Sequence, residues 1–167
     1  MVIARNMTAF SRVRFRFRPV LMTMIGAVSA VNACATGARG TSATVVGSPP
    51  AYVLGSFVDD YGGHHTISAG EWKQGDDDRY RIVRWNADAH YLIAENSSTG
   101  PASLGRWTRI DWMRLENRGP YGWAFCFSAY EMKTAAAAES SMVAKTDTPR
   151  NGCNGYPFTR MRALGDR

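Results

Sequence analysis

Between Tyr52 and Phe127 apolar and aromatic positions recur in short runs, many of them alternating with polar residues, and each run stops at a cluster of residues that accept turn dihedrals. The pattern predicts strands over 52–58, 64–72, 79–85, 90–96, 106–115 and 121–128. The separators are 59–63 (DDYGG), 74–78, 86–89, 97–105 and 116–120, rich in Gly, Asp, Asn, Ser and Pro. Such short links join neighbours as hairpins, because parallel crossovers need a dozen or more residues. The fold class that follows is mainly β: a small antiparallel meander, barrel-like or a sandwich, with one helix in the C-terminal half.

The clearest alternation is Tyr121, Trp123, Phe125 and Phe127 against Gly122, Ala124, Cys126 and Ser128. One face of that strand carries only aromatic rings and is expected in a core, or as the wall of a ligand pocket. After Tyr130 the pattern changes. The stretch 131–145 (EMKTAAAAESSMVAK) has four consecutive alanines among good helix formers and predicts a helix of three to four turns, packed through Met132, Ala135, Ala136 and Val143. The segment 156–164 reads as a final strand, which Pro157 confines to an edge or a strand start.

The front of the chain reads differently. Five arginines (Arg5, Arg12, Arg14, Arg16, Arg18) and no acid precede the apolar run 19–33 (PVLMTMIGAVSAVNA), giving the charged and hydrophobic regions of a secretory signal. The run is too short to span a membrane, which takes about 20 apolar residues. It ends in Val31-Asn32-Ala33-Cys34, which resembles the lipobox of bacterial lipoproteins. Asn32 departs from that pattern, where a small residue is usual. The resemblance implies that Cys34 is acylated, becomes the new N-terminus and anchors the protein to a membrane; Thr36 after it would permit delivery to an outer membrane where one exists. The alternative is ordinary cleavage after Ala35 by the small-x-small rule of Ala33-Cys34-Ala35, releasing a soluble periplasmic or secreted protein. The stretch 34–50, poor in aromatic and charged residues, reads as a flexible linker. The expected organisation is a signal over 1–33, a linker over 34–50 and a single β-rich domain over 51–167.

Charge follows this division. The chain has 20 basic and 14 acidic residues, a net +6, yet removing the five N-terminal arginines leaves fifteen against fourteen. A nearly neutral domain lacks the electrostatic footprint for neutralising phosphates, so no nucleic-acid partner is expected. Export also changes the cysteine count. Either cleavage removes Cys34 as a free thiol, and Cys126 with Cys153 is an even pair in an oxidising compartment, predicted to form a disulfide.

No constellation announces chemistry. His64 and His65 point to opposite faces of a strand and, with His90, could hold one metal ion only if that strand were bulged or they lay in the turn; no metal site, cofactor or catalytic residue is nominated. Asp76 to Asp78 reads as a solvated turn rather than a calcium loop. In 106–115 (RWTRIDWMRL), Arg109 and Asp111 stand as same-face neighbours able to pair. Three roles follow for the domain: a non-enzymatic structural or protein-interaction module of the envelope; a barrel binding a small apolar or planar ligand through Trp85, Trp107, Arg109, Trp112 and Trp123; or an envelope hydrolase, which requires converging histidine and carboxylate side chains in a cleft.

Overall fold

A computed structural model describes residues 44–97 and 103–165. The segment read as a signal, Cys34 and most of the stretch read as a linker lie outside the described residues. The strands are β1 (Gly55–Asp59), β2 (His64–Ile67), β3 (Glu71–Gln74), β4 (Asp78–Asn86), β5 (Tyr91–Asn96), β6 (Trp107–Arg114), β7 (Trp123–Met132) and β8 (Thr159–Ala163). Each pairs antiparallel with the next, and β8 pairs back onto β1 to close an eight-stranded barrel. Of the two layouts open from the sequence, the protein adopts the barrel.

The interior is built by period-two alternation. Phe57, Ile67, Trp72, Tyr80, Ile82, Leu92, Ala94, Ile110, Trp112, Trp123, Phe125 and Met161 form one buried cluster. Rings meet edge to face: Phe57 with Trp123 at 5.2 Å between centroids, Trp72 with Phe125 at 4.9 Å and Trp85 with Trp112 at 5.5 Å, the geometry that ring quadrupoles favour. Ile82 and Trp85 are three apart and still both face inward, because the β4–β5 register shifts between Ile82 and Arg84; the extra residue of this bulge restores the alternation. One barrel end is covered by a short 3-10 turn, Ala51–Val53, whose Val53 is buried and whose Tyr52 Oη accepts from Trp112 Nε1 at 3.1 Å.

Three expectations are corrected. The run 64–72 is two strands, since the chain reverses at Ser68 to Gly70, where Ser68 N–H donates to Glu71 O and Glu71 N–H to Ser68 Oγ. Attachment to the barrel begins before Ala51: Val46 N–H donates to Val83 O at 3.0 Å and Trp85 N–H to Val46 O at 2.8 Å. Gly47 permits this approach, with φ +81° and a carbonyl of Trp85 only 2.2 Å from where a Cβ would stand. The long helix is the third. Glu131 and Met132 belong to β7, where Met132 faces Trp107 of β6, and only Ala135–Glu139 is helical (α1). Sheet pairing overrides helix propensity on one side of α1. On the other side Ser141 Oγ turns back to Ala138 O at 2.6 Å, offering the backbone an alternative to continued helix. Consequently Ala138 is buried, whereas Met142 and Val143 are exposed.

The disulfide between Cys126 on β7 and Cys153 is present, with Cα atoms 5.5 Å apart. It ties the segment after α1 to the outer wall of β7, where Ala124, Cys126, Ala144 and Phe158 make a second small core.

Candidate functional site

A cavity of about 770 Å³ lies outside the barrel, between the ends of β6, β7 and β8 and the disulfide-tied segment. Its apolar lining is Met113, Leu115, Ala124, Phe158, Pro149 and Pro157. Alternation along β6 and β7 sends Met113 and Ala124 outward while Trp112, Trp123 and Phe125 go in. Phe158 is held by its N–H to Pro149 O at 2.9 Å. Asn154 fixes the same segment through Nδ2 to Phe127 O at 3.1 Å.

Four arginines, Arg114, Arg118, Arg150 and Arg160, stand around this floor with two acids, Asp60 and Glu116. Arg160 is oriented: its Nε donates to Asp60 Oδ2 at 2.8 Å and its guanidinium lies 4.6 Å from the Tyr121 ring centroid. Among the described residues Arg114, Arg118 and Arg150 form no ion pair with a carboxylate. An apolar trough ringed by guanidiniums suits a ligand with a hydrocarbon body and an anionic end, because the planar fork matches a carboxylate in two-point contact.

Of the residues nominated from sequence, Trp85, Trp112 and Trp123 share the barrel interior, each almost fully buried. Trp107 lies on the outer face, packed with Tyr91, Ile93 and Ala138 under α1. Arg109 also faces outward. The five therefore do not form one site. Arg109 and Asp111 do meet, as a buried pair rather than a surface one: they are 4% and 2% exposed, joined by Nε to Oδ2 at 2.9 Å and Nη2 to Oδ1 at 2.8 Å. Ser128 Oγ donates to Asp111, Arg109 Nη1 to Glu139 O at 2.7 Å, and the guanidinium stacks 4.0 Å from the Tyr91 ring centroid. Glu139 accepts from Tyr91 Oη at 2.8 Å and from Arg84 Nη1 at 2.7 Å. The Tyr91 hydrogen bond, then Arg84, hold its carboxyl below the usual range against the opposing effect of burial. This network docks α1 on the wall.

Among the described residues one histidine–carboxylate pair forms. His65, 2% exposed, points into the barrel; its Nδ1 accepts from Trp72 Nε1 at 3.1 Å, so Nε2 carries the proton and donates to Asp59 Oδ2 at 2.9 Å. Burial pushes the Asp59 carboxyl upward, but the bond from His65 and the N–H groups of Gly63 and Tyr61 outweigh it and hold it below the ordinary value. Both ring nitrogens are thus occupied in a closed aromatic core, an arrangement that fixes the ring and offers a substrate nothing. His64, next to His65 on β2, points to the opposite face and is exposed, as is His90 in the turn before β5, and among the described residues no group of three His, Cys, Asp or Glu side chains stands close enough to hold a metal. The converging cleft that a hydrolase requires is not formed by these histidines.

The arginines of the cavity carry no sequence pattern, being spread over 114–160, and only the closure of β8 beside β7 assembles them. The chain shows no significant match to a known protein family, to a curated protein or to a solved structure.

Proposed function

We propose that this chain is a non-enzymatic, exported binding protein of the bacterial cell envelope, tethered by a lipid on Cys34, that holds a small amphiphilic anion in the outer cavity between the barrel wall and the disulfide-tied segment. The observation that carries the reading is the ring of four arginines around an apolar floor in a cavity of about 770 Å³, within the size range of small-molecule sites. The N-terminal segment, with its arginine cluster, short apolar run and Cys34, supports the address. The Cys126–Cys153 bond supports an oxidising compartment.

The test is titration of the purified protein with decanoate by calorimetry, beside R150A and R160A. Saturable binding that weakens about tenfold in either variant is expected, the effect of losing one charge-assisted contact. Absence of saturable heat with the wild-type protein overturns the binding role. Intact mass of the membrane fraction from a lipoprotein-processing bacterial host tests the tether, which requires a species beginning at Cys34 and carrying acyl mass.

A further inference from the structure

The stretch between α1 and β8 supplies Pro149, Arg150, Pro157 and Phe158 to one side of the outer cavity. It is folded on itself. Among the described residues, every backbone–backbone hydrogen bond made by 145–158 closes within that stretch: Lys145 N–H to Gly152 O at 2.9 Å, Asn151 N–H to Thr148 O at 3.0 Å, Gly155 N–H to Asn151 O at 3.1 Å, Phe158 N–H to Pro149 O, and Cys153 with Tyr156 in both directions. Gly152 allows this packing, since a Cβ there would stand 1.9 Å from the Lys145 carbonyl oxygen.

The unit thus has a shape of its own, while among the described residues no strand holds it through the backbone. What fastens it to the barrel wall is the Cys126–Cys153 bond, the Asn154 amide on Phe127 O and Ser128 O at 3.1 and 3.3 Å, and the packing of Phe158 and Ala144 against Ala124 and Cys126. Neutral hydrogen bonds exchanged with water give a small net gain, and the small core includes one of the bonded cysteines. The disulfide is therefore the principal fastening, and the cavity wall that carries Arg150 and Phe158 depends on it.

We propose that this bond is a redox latch on the outer cavity: its reduction by a dithiol frees the wall formed by 145–158, and a bound anion loses Arg150 and Phe158 and is released. The proposal rests on the outer cavity being the binding site. Cys153 is half-buried in a turn whose other residues, Asn154, Gly155 and Tyr156, are exposed, whereas Cys126 is 1% exposed. A thiolate of the dithiol attacks the Cys153 sulfur, and the Cys126 sulfur leaves as a thiolate that takes up a proton. The second thiolate of the dithiol then displaces Cys153 from the mixed disulfide, and Cys153 in turn is protonated. The dithiol gives up two electrons and two protons and becomes a disulfide; the two cysteines become thiols. Arg160 stays in place, because β8 remains paired with β7 and β1.

The experiment is amide hydrogen exchange, read by mass spectrometry, on the oxidised protein, on the same protein treated with dithiothreitol and on C126A/C153A, with decanoate titrated into each. The expected result is a loss of protection confined to 145–158 on reduction, with β4 to β6 unchanged, and decanoate affinity lowered about tenfold through the lost Arg150 contact. C126A/C153A should match the reduced protein and ignore dithiothreitol. Should that variant not fold, reduction of the wild-type protein decides the question on the same peptides. Unchanged exchange in 145–158, or protection lost evenly around the barrel, overturns the proposal. So does a freed segment with decanoate bound as tightly as before, a result that leaves the binding role standing. Exchange needs no ligand, so a protein that never binds decanoate removes the site, while the exchange of 145–158 still shows whether the bond fastens the wall.

Discussion

Over Arg109 to Trp112 the two faces of β6 are buried almost equally, by opposite means. Inward, Ile110 and Trp112 meet rings and aliphatic side chains; outward, Arg109 and Asp111 meet each other, Ser128, Tyr91 and the end of α1. The inner face is stabilised by area removed from water, which accumulates in proportion to size. The outer face depends on complete pairing, because a buried charge without its partner is far costlier than the pair is worth. Equal burial therefore hides unequal modes of failure. The inner side degrades with volume lost, and the outer side fails when one member of a network is removed.

The largest effect is expected from Trp72→Ala, which opens a cavity in the middle of the ring cluster and also strips the donor from His65 Nδ1. Its cost is about 5 kcal/mol or more, combining the usual loss for a truncated core tryptophan with that for an unsatisfied buried acceptor, and urea unfolding measures it. Next comes Asp111→Ala, expected to cost about 3–5 kcal/mol by leaving Arg109 buried and unpaired. The sharper form of this test is the double variant R109M/D111L, which removes both charges and should recover most of the loss. If the double variant is as unstable as the single one, the outer face rests on packing as the inner one does, and the contrast is wrong.

The smallest effect belongs to Asp59, where the two kinds of burial meet. Asp59→Asn is expected to cost about 1.5–3 kcal/mol at neutral pH, the value of hydrogen bonds to a charged acceptor. The sign of its pH dependence follows from the depressed carboxyl. Its stabilisation is present in full above the ordinary value of 3.8 and is lost as pH falls through the lower value of the folded state. The wild-type protein should lose stability on that acid limb, and D59N should lose less of it, as thermal unfolding at stepped pH would record.

Much of the barrel was legible because its turns are chemically distinct from its strands: Asp59 to Gly63 and Asp76 to Asp78 are rich in the Asp and Gly that favour turns. The turn at Ser68 to Gly70 escaped because it is short and its serine closes it by bonding to Glu71 rather than by a Gly or Asn pair. The alanine run misled for another reason, since propensity is a local preference of tenths of a kcal/mol per residue whereas Met132 facing Trp107 is a tertiary contact. Cys126 and Cys153 were readable by counting. The outer cavity was not, because Arg114, Arg150 and Arg160 become neighbours only through strand pairing. Trp123 was recognisable as inward-facing from alternation.

The second partner of β1, beside β2, is β8, so Phe57 aligns with Ala163 and Asp59 with Met161 across a gap of about a hundred residues. A chain still being made, with nothing beyond Pro157 yet free, must therefore hold two unpaired strand edges open, one along β1 and one along the start of β7. Such edges are templates for sticking to other chains. During synthesis closure comes last, and until it occurs both edges stay open to other chains.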